Sequence, residues 1–208
     1  MGPGLDATMT VAPSRPSPLA LPRALRDRLA RLILAALHDA GARRILTELA
    51  APPAAVPRWL PPDTSEHAAA VTERARRAAV AVATRPLDRA GGGLADALGD
   101  AATLFDAGLY FEVHELLEPL WMTAAGAERE ALQGLIQVAV GCQHLANGNR
   151  PGAQALLGEG GAKLAGQRLA TLDLTGFAEA VGAMVDGIGD DFDWTLVPRF
   201  PSARVGGR

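Results

Sequence analysis

Apolar residues recur at three- and four-residue spacing through most of this chain, and short alternations are missing. In "ALPRALRDRLARLILAALHDAGARRILTELAA", Leu25, Leu29, Leu32, Ile33 and Leu37 form one stripe opposite several arginines. This spacing predicts an amphipathic helix, with Gly41 as the point where it divides in two. "APPAAVPRWLPPD" (51–63) holds five prolines and predicts an extended connector, pinned to the core by Trp59 and Leu60. Thr64 or Ser65 then offers a cap for a helix that ends before Pro86. The run "GGG" (91–93) predicts a boundary.

Helix follows helix after that boundary. The pattern predicts helices over about 94–107, 109–124, 127–146 and 150–168, and a last one through "LTGFAEAVGAMVDGI". Gly108 suits a left-handed C-terminal cap, Asn149 and Thr175 suit N-caps, and Pro151 is tolerated in a first turn. No strand alternation is evident, and the short connections predict antiparallel neighbours. The expected fold is all-α: an antiparallel multi-helix bundle over 94–190 with an N-terminal helical extension over 21–90. Residues 1–20, rich in Pro, Ser and Gly, are expected to be a disordered arm without a signal peptide. Residues 191–208 are expected to be a tail anchored by Phe192, Trp194 and Phe200.

Composition narrows this picture. Hydrophobic residues make up 49% of 208, but aromatics only 4%, so the core must be built from Ala, Leu and Val, which favours helices. The single cysteine, Cys142, excludes an internal disulfide and points to a cytoplasmic protein. The uncharged run 131–149, "ALQGLIQVAVGCQHLANGN", nears membrane-spanning length. Its Gln, His and Asn residues make insertion expensive, so a buried helix is expected and no membrane partner. Residues 1–90 carry 13 arginines and 8 acids, whereas 91–208 carry 7 basic residues and 15 acids. A basic helical layer packed on an acidic core accounts for this asymmetry. Without interleaved aromatics, nucleic acid is the less favoured partner. Apolar helix faces are compatible with a homo-oligomer but do not demand one.

The candidate chemistry lies in "YFEVHELLEPLW" (110–121). With His114 as origin, a helical projection places Trp121 about 20° to one side and Glu118 about 40° to the other. Tyr110, Phe111 and Leu117 fall within about 60° of the same origin. His114 and Glu118 would then lie inside an inward aromatic face, with Glu112 and Leu116 pointing away and Glu115 at the border. Pro119 removes the backbone donor for the Glu115 carbonyl and predicts a bend. On the next helix Gln133, Gln137, Gly141 and His144 share a stripe. The expected partner of that stripe is the His114/Glu118 face, with Gly141 letting the two backbones close up.

Three roles fit such a constellation. The favoured one is a satisfied polar network that sets helix register, because an unpaired buried polar group costs about 1–3 kcal/mol. In the second, His114, Glu118 and His144 ligate a divalent metal such as zinc or iron, with Glu115 as the general base of a hydrolase. In the third, the cluster binds a small ligand, with Trp121, Gln133, Gln137 and Asn149 contributing. "HELLE" is neither the H-E-x-x-H zinc signature nor the Glu-x-x-His repeat of di-iron bundles. Cys142 lies on the apolar stripe and reads as core, and His38 and His67 read as surface residues.

"LFDAGLYFEVHELLEPLW" followed by "LQGLIQVAVGCQHLANGNRPGA" resembles the pattern of domain-of-unknown-function family 309. Phe105, Gly108, Tyr110, Phe111, Glu112, His114, Glu115, Glu118 and Trp121 carry the first block. Gln133, Gly134, Gln137, His144, Gly148, Asn149, Gly152 and Ala153 carry the second. The likeness covers roughly 100–165 and implies an all-α fold with no established activity. Nothing carries over to the N-terminal 90 residues. The expected function is therefore an uncharacterised cytoplasmic helical protein whose cluster is structural or ligand-binding, with the hydrolase as the alternative.

Overall fold

A computed structural model describes residues 21–51, 56–87 and 93–201 of the chain. The expected disordered arm, most of the GGG run and the end of the tail lie outside these residues. The fold is all-α. Helix α1 spans Arg23–Ala36, α2 Ala40–Ala50, α3 Val56–Trp59 and α4 Ala68–Ala83. They are followed by α5 Leu94–Asp106, α6 Tyr110–Thr123, α7 Gly126–Ala146, α8 Arg150–Leu164 and α9 Thr175–Asp186. Among the described residues no helix is long and apolar enough to cross a membrane.

The elements form for local reasons. The first helix pair breaks at Leu37–Asp39 rather than at Gly41: the Asp39 carboxylate accepts the Ala42 amide at 2.6 Å and starts α2. Gly41 sits inside the new first turn, where a Cβ would come 3.1 Å from Asp39 Oδ1. Arg43 closes the end of α1 by donating to the carbonyls of Ala36 and Leu37, each at 3.1 Å. The proline-rich connector is not extended throughout, since it contains α3 and a 3₁₀ turn over Pro62–His67. Thr64 and Ser65 fall inside that turn, so neither caps α4. Gly108, at φ +71°, ends α5 as expected, and Asn149 accepts the Gly152 amide to cap α8. Thr175 does not cap α9. Its own amide donates to the Asp173 carboxylate at 3.0 Å.

One departure from pure helix is a two-residue antiparallel pairing of β1 (Arg168–Leu169) with β2 (Leu172–Asp173), turning at Ala170 with φ +50°. It buries Leu169 and Leu172. Two residues per strand are too few to leave a periodic signal.

Helices α7 and α8 make the most extensive pairing. A Cβ on Gly160 would come 2.9 Å from the Gly134 carbonyl oxygen, and one on Gly141 2.7 Å from Leu157 Cγ. These glycines bring the two backbones together. On the other side, α1, α2 and α4 form a layer in which α1 touches α6 and α4 touches α5. Buried apolar residues from Leu21 to Phe200 make one continuous core. Phe200 closes it, packing on Phe105 and Phe177 at ring distances of 5.5 and 5.9 Å while its amide donates to Asp106 Oδ1.

Candidate functional site

Helix α6 turns Tyr110, Val113 and Leu117 to the core. The centre of that face lies about 70° from His114 in projection. Glu112, expected to point outward, is instead fully buried at 0% exposure. It meets Arg74 of α4, itself 7% exposed: Nε donates to Oε1 at 2.8 Å and Nη2 to Oε2 at 2.5 Å. The desolvation cost of such a pair is offset only by good geometry, and the two-pronged fork supplies it. A second polar knot joins the N-terminal layer to α5. Asp100, 2% exposed, accepts from Arg85 at 2.5 Å and lies 2.7 Å from His38 Nε2. His38 thus contacts a buried carboxylate, although its ring is partly exposed.

His114, Glu115 and Glu118 lie at the edge of the buried face, with side chains 28%, 35% and 44% exposed. His114 Nδ1 is 3.1 Å from Glu115 Oε1, and Nε2 is 4.0 Å from Glu118 Oε1. One ligand atom from each can be chosen so that all three lie within 4.8 Å of one another. The rings of His114 and Phe111 stack at 6.2 Å, and the Arg26 guanidinium of α1 covers Phe111 at 4.2 Å. At the far end Arg129 of α7 lies 4.3 Å over Trp121 and donates to its carbonyl at 2.7 Å. Phe111 and Trp121 are therefore rim residues covered by arginine guanidinium groups, whereas Tyr110 faces the core. The Trp121 Nε1 is nonetheless buried without a protein acceptor among the described residues. Helix α6 continues through Pro119 to Thr123.

The polar stripe of α7 serves α8 rather than α6. Gln137 Nε2 donates to Glu159 Oε2 at 2.8 Å, while Gln133 is half-buried. His144 Nδ1 accepts from Asn149 Nδ2 at 2.6 Å. Gly152 has no room for a side chain beside these two residues: a Cβ would lie 2.8 Å from His144 Nδ1. His144 and Asn149 thus form one helix-to-helix turn and stand apart from the α6 cluster. Gly141 faces Leu157 of α8, not α6. Cys142 is buried in the core, where desolvation pushes its thiol well above the ordinary range.

A family model described as domain of unknown function (DUF309) matches residues 98–156. The likeness to this family lies in that segment, less than half of the chain. No curated protein and no solved structure matches it. The DUF309 segment takes in α5 from Leu98, α6, α7 and the first half of α8, so Asp100, Glu112 and the His114 cluster all belong to it. The cations that meet Glu112 and Asp100, Arg74 and Arg85, come from the N-terminal layer outside the DUF309 match, as does Arg26 over Phe111.

Sequence reasoning passed over Arg74 and Asp100, although a signal for each existed. Arg74 lies three residues after Val71 and four before Ala78, on the apolar stripe of α4. Asp100 holds the same kind of position before Leu104. A charged residue on a core stripe must find a partner when buried, so each position marks a buried pair without naming its other half.

Proposed function

We propose that this protein is a cytoplasmic helical module that binds a divalent metal ion through His114, Glu115 and Glu118. The observation carrying this reading is the gathering of three ligand atoms within 4.8 Å on a half-exposed face of one helix. Donors sharing a tetrahedral ion at 2.0–2.2 Å lie about 3.4 Å apart, within a small rotamer adjustment of this arrangement. Among the described residues, none of the three has a hydrogen bond or ion pair to another helix. A cluster kept to set helix register would be buried and bonded across the interface, as Glu112 and Arg74 are.

Two carboxylates and one imidazole suit Zn²⁺, Mn²⁺ or Fe²⁺. With Glu115 among the ligands in place of His144, the hydrolase alternative loses its general base. The reading is accordingly of metal binding rather than hydrolysis.

Tag-free protein prepared without chelator, analysed for metals and titrated calorimetrically with Zn²⁺ and Mn²⁺, tests it. One ion per chain is expected, with His114→Ala and Glu118→Gln each weakening binding by about tenfold or more. Absence of stoichiometric binding, or equal binding by His114→Ala, would reject the site.

A further inference from the structure

A second site, independent of the α6 cluster, lies where the α7–α8 turn meets the segment after α9. A cleft of about 270 Å³ is lined there by Leu145, Gly148, Arg150, Gly189, Asp190, Asp191, Phe192 and Trp194. This volume is near the lower end of small-molecule pockets and suits a ligand of a few heavy atoms. The aromatic wall is built from two rings in mutual contact. Phe192 and Trp194 meet edge to face at 5.3 Å and 89°, and the Asp193 carboxylate accepts the Thr195 amide at 2.9 Å, starting the 3₁₀ turn that holds Trp194.

The polar rim decides the sign of the ligand. Arg150 is already engaged, since its guanidinium pairs with the Asp190 carboxylate and also donates to the Asp190 carbonyl at 3.3 Å. The Asp191 carboxylate has no hydrogen bond or ion pair among the described residues, leaving the rim with one uncompensated negative charge. A helix N-terminus would ordinarily favour an anion, but the first turn of α8 has no amide to offer. Arg150 N donates to the Gly148 carbonyl, Gly152 N to Asn149 Oδ1 and Ala153 N to the Asn149 carbonyl. Pro151 has no N–H. Two aromatic rings beside an unpaired carboxylate favour a cation with an apolar shell, which aromatic faces attract and a strongly hydrated ion does not satisfy.

We propose that this cleft binds a small organic ammonium ion, its charge held between the Asp191 carboxylate and the Phe192–Trp194 rings.

The test is an NMR titration of the full chain with tetramethylammonium chloride, with sodium chloride and sodium phosphate as parallel arms. The readout is the tryptophan indole N–H signals, that of Trp194 being assigned with Trp194→Phe. A saturable shift confined to the Trp194 signal is expected with tetramethylammonium, at millimolar affinity. Asp191→Asn, at an exposed position, should weaken it about two- to fivefold. Trp194→Leu should weaken it about threefold or more, followed through backbone amides of residues 148–150. The proposal is overturned if tetramethylammonium gives no saturable shift or none beyond sodium chloride. Saturation by phosphate instead, which would make Arg150 the centre of an anion site, also overturns it. So does unchanged affinity in both variants.

Discussion

The residue with the largest expected effect on stability is Glu112, whose charge is compensated by Arg74 alone among the described residues. Glu112→Ala would leave a buried guanidinium unpaired, and a loss of about 3–5 kcal/mol is expected from urea denaturation. The double change Arg74→Met with Glu112→Leu removes both charges and should recover most of that loss. Cys142 gives a second residue-scale expectation. Burial raises its thiol pKa and shields it, so alkylation at mildly alkaline pH should be undetectable in the native protein and rapid in denaturant. Asp106 gives a third. Desolvation raises its carboxyl pKa, against the lowering contributed by the Phe200 amide and Arg199. The folded chain then holds this proton more tightly than the unfolded one. The Asp106 contribution to stability should fall as pH rises from the ordinary carboxylate value to the raised one, and level off above it. Asp106→Asn should flatten that part of a stability profile measured between about pH 4 and 7.

At the scale of elements, the α7–α8 pair depends on side chains that are absent. Gly160→Ala would set a methyl 2.9 Å from the Gly134 carbonyl oxygen and 3.0 Å from the Val138 amide nitrogen, both backbone atoms of α7. Neither can rotate away, so the helices must separate, at a cost of about 1–3 kcal/mol by thermal or urea unfolding. Gly158→Ala on the same helix meets nothing within 4 Å and should be neutral or slightly stabilising, which makes it the matched control. The existence of these helices was legible in their apolar spacing, as were the Gly108 and Asn149 caps. Their rotation was less so. In α6 the pattern of large apolar residues centres on His114, but Phe111 and Trp121 sit at the rim under Arg26 and Arg129, and the buried face lies about 70° away. A projection weighs every large apolar residue alike, whereas a ring can be covered just as well by an arginine stem from the next element.

Across the whole molecule, part of the charge asymmetry of the sequence is met in the interior. Arg74 and Arg85 of the N-terminal layer meet Glu112 and Asp100 of the DUF309 segment, and the apolar core runs through both regions. A fragment beginning at Leu94 would expose that core and strand the buried acids. It is expected to bind ANS and unfold without cooperativity, in contrast to the full chain.

Taken alone, the sequence determined the all-α class, the run of helices from Leu94 onward, the DUF309 likeness and the concentration of polar chemistry on α6 and α7. These follow from local spacing, which a helix converts directly into faces and caps. Only the tertiary structure decided which face is inward, that Glu112 rather than His114 is the buried charge, and that His144 joins Asn149 instead of Glu118. The first two depend on what elements distant in sequence bring within about 4 Å, Arg74 for Glu112 above all, and the third on how the α7–α8 turn folds Asn149 back onto His144. The acidic residues of α6 part accordingly. Glu112, buried, meets its partner Arg74 on α4, and His114, Glu115 and Glu118 stay at the edge with their ligand atoms together.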